Sequence, residues 1–260
     1  MTPPTVQFIP AAGAFLPTDI SGLKGWWDYS DTSTLTIVAS GGFDYITVAD
    51  DKSGNTGTGA AATSAMEGTT TTTSPRPDVF GNGLDCAFFD NSNDVIEAKI
   101  PDGMTSATIF LVCDPNDTGW IFFAPGTSTT IYLPSLVDNN FSTTIQDGSG
   151  SPSYYLDGTL QSWAARDAGH AAVNGAEHLL AISGCDLDAH SDTTSDPLFK
   201  LGGYGVFNGD RLYGGLIGEI IVYNSTLTQT EREKVEGYLA HKWGLAANLP
   251  ASHPYKSVAP

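Results

Sequence analysis

Leu216-Ile217-Gly218-Glu219-Ile220-Ile221-Val222-Tyr223 is a run of β-branched and aromatic residues closed by Asn224-Ser225, the composition of a strand that ends in a turn. Immediately after it, Thr228-Gln229-Thr230-Glu231 has the form of a capping box. In that device the threonine oxygen accepts from the backbone amide three residues on, and the glutamate reaches back to the threonine amide. Val235, Tyr238, Leu239 and Trp243 then recur at helical spacing, and Gly244 supplies the C-terminal stop. The segment therefore predicts a strand, a turn and one amphipathic helix of about four turns, whose apolar stripe docks on a sheet.

Upstream the same strand-and-turn pattern repeats. Short β-branched or aromatic runs occupy 34–39, 45–48, 86–89, 95–99, 108–113, 120–123, 130–133, 154–156, 178–183 and 198–201, each bounded by Gly, Asn, Asp or Ser. No helical pattern intervenes, which predicts an all-β, antiparallel two-sheet sandwich in one domain. Residues 53–77, with the tract Thr69–Thr73, and 186–197 read as excursions from the sheets. Pro3, Pro4, Pro10 and Pro17 forbid a helix at the start and suit an extended arm. The division expected is an arm over 1–21, a sandwich domain over 22–250 and a tail over 251–260.

Composition narrows the partners. The 260 residues hold 29 acidic side chains against 11 basic ones, a net charge of −18 that repels phosphate and disfavours nucleic acid or an anionic membrane surface. Of the acids 22 are Asp and 7 Glu, and Asp closes turns on its own backbone where Glu favours helices. Cys86, Cys113 and Cys185 sit among apolar residues, with no second Cys or His at metal-ligand spacing, and read as small buried hydrophobes. The first residues show no basic segment followed by an apolar run of signal-peptide length, which leads to the expectation of synthesis in a cytoplasm.

Leu23-Lys24-Gly25-Trp26-Trp27-Asp28-Tyr29-Ser30-Asp31 with Ala49-Asp50-Asp51-Lys52-Ser53-Gly54-Asn55 resembles the opening of concanavalin A-like, laminin G-like jelly-roll domains. The close is similar, from Gly218-Glu219-Ile220-Ile221-Val222-Tyr223 through Leu227-Thr228 to His241-Lys242-Trp243-Gly244-Leu245. Phe88-Phe89-Asp90-Asn91-Ser92-Asn93-Asp94 and Tyr155-Leu156-Asp157-Gly158 resemble two hairpins of that family. The resemblance spans about residues 22–250 and implies a jelly-roll sandwich with one short C-terminal helix. The family spans lectins, carbohydrate-binding modules, hydrolases, adhesion modules and phage virion proteins, so function has to be argued from the site.

Hydrolases of this sandwich set paired carboxylates at alternate positions of one strand, because only residues i and i+2 share a sheet face. Glu97, Glu177 and Glu219 stand alone in their segments, which points away from an enzyme. Asp186-Leu187-Asp188-Ala189-His190-Ser191-Asp192 alternates acids that could offer oxygen to calcium, and reads first as a solvated loop; Asp90, Asn91, Asn93 and Asp94 form a second oxygen-rich turn. No cofactor or metal site is expected. Sugar rings stack on aromatic faces. The aromatic residues in turn contexts, Trp120, Tyr154, Tyr155, Trp163 and Tyr204, are the candidate ligand-binding residues, with Trp163 between Gln161 and Arg166 the foremost.

These features lead to the expectation of a non-enzymatic phage virion structural protein, a capsid decoration or tail-associated adhesin, assembled in the host cytoplasm. Its partners would be capsid or tail proteins, further copies of itself (a trimer for example), and surface glycans. The alternative is a carbohydrate-binding or adhesion module of a larger secreted bacterial protein.

Overall fold

The structure is a computed structural model and describes residues 13–40, 43–55, 76–90, 94, 96–99, 104–115, 121–125, 133–136, 152–163, 166–186, 198–201 and 213–260. Its strands are β1 Leu23–Asp28, β2 Leu35–Ser40, β3 Phe43–Ala49, β4 Arg76–Val79, β5 Asp85–Asp90, β6 Ile96–Lys99, β7 Ala107–Pro115, β8 Ile121–Pro125, β9 Leu133–Leu136, β10 Ser153–Leu156, β11 Thr159–Gln161, β12 His178–Cys185, β13 Leu198–Leu201 and β14 Gly214–Tyr223. Two helices accompany them, α1 Arg166–Val173 and α2 Gln229–Lys242. All pairings are antiparallel, and the protein is an all-β sandwich of a large sheet and a smaller one.

The large sheet runs β11-β10-β12-β7-β14-β5-β4, and β1 also pairs with β14. β14 is its centre. One edge is taken by β7, while the other is shared by β5 along Gly214–Ile217 and by β1 along Glu219–Tyr223. The first strand of the domain thus lies against the last, which explains why both ends of the chain carry the informative motifs. The smaller sheet runs β6-β13-β8-β9, and β2 with β3 forms a separate hairpin.

Each face of β14 feeds a different core. Ile220 and Val222 join Trp27, Tyr29, Phe89, Ile109, Leu111, Leu180 and Ile182, against which Ile46 and Ala49 of β3 also pack. Ile221 and Tyr223 join Trp26, Phe80, Phe110 and Leu179 beneath Val235, Leu239, Ala240 and Trp243 of α2. A bulge at Gly218 turns Glu219 to the helix side, since Ile217 faces Cys113 of β7 and Glu219 the very next residue, Val112. Glycine is required there: a Cβ would sit 2.8 Å from the Trp243 ring.

α2 begins as its motif predicts. Thr228 Oγ1 accepts from the Glu231 amide at 3.3 Å, and Glu231 Oε2 accepts from the Thr228 amide at 2.9 Å. It ends at Gly244 (φ +76°), where the Leu245 amide donates back to the Ala240 carbonyl at 2.7 Å. The sequence reading does not include α1, whose eight residues are too short to display a 3.6-residue period. β1, β4 and β11 also go beyond the strands read from the sequence. Residues 1–12 of the arm, the tract Thr69–Thr73 and residues 187–197 lie outside the described residues.

Candidate functional site

Of the aromatic residues singled out by the sequence, Tyr154, Tyr155 and Trp163 are among the described residues. Tyr154 and Tyr155 are neighbours on β10, so their rings point to opposite faces of the sheet. Tyr154 is buried in the first core, and half-buried Trp163 packs on it with ring centroids 5.8 Å apart. Tyr155 lies on the helix side, where the Arg232 guanidinium sits 3.6 Å from its ring centroid and occupies that face. Trp120 and Tyr204 lie outside the described residues. Of the five, Tyr154 and Trp163 form one aromatic pair, beside Gln161, whose carboxamide donates to the Thr159 carbonyl at 2.8 Å.

A larger convergence of chemical groups lies under α2. Glu219 is fully buried and accepts four hydrogen bonds. The Trp26 indole N–H donates to Oε1 at 2.6 Å and the Tyr238 hydroxyl to the same oxygen at 3.2 Å. Lys242 Nζ donates to Oε2 at 2.6 Å and the Trp243 indole N–H at 2.8 Å. Lys242 also pairs with Asp28 Oδ1 at 2.6 Å, Asp28 Oδ2 with Lys52 at 2.8 Å, and Lys52 with Asp31 at 2.7 Å. Charges therefore alternate along Glu219, Lys242, Asp28, Lys52 and Asp31. The chain of contacts ties β14, α2, β1 and the loop after β3 to one another.

The electrostatics follow from this order. Burial pushes the Asp28 carboxyl up, but Lys242 and Lys52 outweigh it and hold it below its ordinary 3.8. Asp31 is likewise pushed up by burial but brought below its ordinary value by hydrogen bonds from Lys52 and Ser33. Burial raises Glu219, with Lys242 opposing. A carboxylate with a depressed value stabilises the fold above its unfolded value and loses that contribution as pH falls through the folded one. The unfolding temperature is therefore expected to drop as pH falls below 3.8, and the drop should be shallower in Asp28→Asn, as followed by circular dichroism. Equal slopes for the two proteins would remove Asp28 from the acid response.

This arrangement binds the protein to itself. The alternating-acid spacing of a sandwich hydrolase is missing on β14, and every oxygen of Glu219 is engaged by an obligate donor. A second polar cluster holds the C-terminal tail to α2. Arg232 donates to Glu236 at 3.1 Å, and His253 Nε2 contacts the other oxygen of the fully buried Glu236 at 3.1 Å. Because the Tyr255 amide donates to His253 Nδ1, the proton of a neutral ring is on Nε2.

The oxygen-rich turns have local roles where they are described. Asp94 is buried and accepts from the Asp90 amide at 2.8 Å, which ties it to the end of β5; Asn91 and Asn93 lie outside the described residues. Asp186 follows β12, and the rest of its acidic run lies outside them as well. Among the described residues no group of three or more His, Cys, Asp or Glu is placed to hold a metal ion. Asp157 accepts from the Leu179 amide at 2.9 Å and pairs with His178 Nδ1 at 2.7 Å, which pins the β10–β11 hairpin to β12.

No family model matches the chain, and no curated protein does. Among solved structures the chain is similar to domain 4 of AbnA, a GH43 extracellular arabinanase from Geobacillus stearothermophilus, in complex with arabinotriose; the identity is 15%, the alignment covers 80% of this chain and 95% of that one, and the TM-score is 0.45.

Proposed function

We propose that this protein is a non-enzymatic binding module that takes a glycan on the aromatic surface beside the β10–β11 hairpin, and that it serves as an exposed component of a phage virion. The observation that supports the glycan reading is Trp163. Its indole packs on Tyr154 yet stays partly exposed, and exposed Ser162 and half-buried Gln161 lie next to it in the chain. An aromatic face that is braced from behind and flanked by hydrogen-bonding groups suits the apolar face of a pyranose or furanose ring. The virion reading draws on the resemblance to jelly-roll domains and on the net charge of −18, which keeps an exterior soluble when many copies crowd one surface.

The test is a glycan array on the full chain followed by titration of whichever oligosaccharide binds. Trp163→Ala should weaken binding about tenfold, equivalent to about 1.4 kcal/mol, while circular dichroism shows an intact fold. Unchanged affinity in Trp163→Ala, or no glycan bound by the parent, would overturn the glycan reading. Mass spectrometry of particles released from cells carrying the gene tests the virion reading, which fails if the protein is missing from them.

A further inference from the structure

Among the described residues β2 has a single strand neighbour, β3, and no strand pairs with its far edge, which there presents backbone amides and carbonyls. Such an edge is a template for another strand, and soluble proteins normally blunt it with lysine, proline or a bulge. Leu35-Thr36-Ile37-Val38-Ala39-Ser40 contains neither a charge nor a proline. The one irregularity of the hairpin is carried by β3: Thr36 faces Val48 and Ile37 faces Ile46, so Thr47 is the extra residue and β2 remains regular. Ile37 and Val38 are consecutive and point to opposite faces, yet they are 40% and 47% exposed, so β2 is open on both sides; Phe43, across the hairpin end, is 54% exposed.

Charge selects the occupant. The charged residues between positions 31 and 51 are Asp31, Asp44, Asp50 and Asp51, all acidic. Asp44 and Asp50 are exposed at the two ends of β3, and the cation nearest to them in the sequence, Lys52, is engaged by Asp28 and Asp31. A second copy would bring the same acidic ends and a further net charge of −18 to the contact. We propose that β2 is a docking edge for an extended segment of a partner protein, which adds to the hairpin as a third strand and is β-branched at its centre and basic at its ends. The backbone pairing would give affinity, and the flanking lysines or arginines would set register against Asp44 and Asp50.

The test uses the full chain and a fluorescent peptide with a Val-Thr-Val-Thr-Val centre and two lysines at each end, titrated by anisotropy at low salt. Binding is expected, weakened several-fold at 0.5 M salt and about tenfold or more by Val38→Lys, with Ala39→Lys as a second variant at the same edge. Leu160→Lys, at a more exposed apolar site on another strand (62% against 47% for Val38), should leave it unchanged. The proposal is overturned if a glutamate-flanked peptide binds as well, if Leu160→Lys weakens binding as much as Val38→Lys, or if both edge variants bind like the parent. Sedimentation of the free chain as a dimer that Val38→Lys dissociates would also overturn it, by making a second copy the occupant.

Discussion

Glu219→Gln should lower the stability of this protein by about 3 kcal/mol or more, although the two side chains have the same shape. The reason is the distribution of donors around the carboxylate. Each oxygen accepts from one indole N–H, that of Trp26 on Oε1 and that of Trp243 on Oε2. An amide must turn its NH₂ toward one of the two, and an indole nitrogen is a donor that cannot be rotated into an acceptor. Flipping the glutamine only moves the clash from one tryptophan to the other. The substitution also removes the charge facing Lys242, whose side chain is 1% exposed and which also pairs with Asp28.

Lys242→Met tests the same network from the other side. It leaves Glu219 and Asp28 as buried carboxylates on neighbouring strands without the cation between them, a situation worth about 3–5 kcal/mol of destabilisation. For a chain of this length such losses correspond to a fall of roughly 10 °C in Tm. The double variant should be about 1–2 kcal/mol less damaged than the sum of the singles, because the interaction lost is shared. Urea unfolding of the four proteins gives the cycle. A Glu219→Gln value within 1 kcal/mol of the parent would mean that the network is not stabilising as its geometry implies.

Local signals in the sequence were read correctly because their physics is local. The capping box of α2, the glycine that ends it, and the Asp157-Gly158 turn, with φ of +49° and +77°, each involve atoms within a few residues of one another. The buried network was out of reach for the opposite reason. Trp26 and Glu219 are separated by 193 positions, and Glu219 read from the sequence was a solitary carboxylate. Its partners were all visible in the motifs of the two chain ends, Trp26 and Asp28 in one, Lys242 and Trp243 in the other, but only the pairing of β1 with β14 brings them together. Among the aromatic candidates, Tyr155 parts from Tyr154 and Trp163 because a turn context does not say which sheet face a ring will occupy. Tyr154 and Tyr155 are adjacent in sequence and belong to different cores.

Removing the side chains of Phe15, Leu16 and Ile20 in the full-length chain should cost about 4 kcal/mol. The segment reads from its prolines as an extended arm, and its last third is part of the core under α2. Ile20 and Pro17 are buried, and Phe15 and Leu16 pack on the same cluster as Tyr238 and Leu239. Phe15 meets the Tyr238 ring edge-on at 6.2 Å, and the buried Tyr223 hydroxyl donates to the Pro17 carbonyl at 2.8 Å. Ile20→Ala alone corresponds to about 2–3 kcal/mol for a buried isoleucine, and the half-buried Phe15 and Leu16 to about 1 kcal/mol each. Because the three residues share one cluster, the triple variant is better measured directly than summed. The consequence reaches the question of attachment. A truncation at residue 21 would remove core contacts together with any contact to a partner, so loss of assembly would be uninterpretable, whereas a chain that starts at Gly13 keeps every contact named above. Chemical denaturation of the triple variant decides the matter: a loss under 1 kcal/mol would place these side chains outside the core and restore the whole segment to the arm.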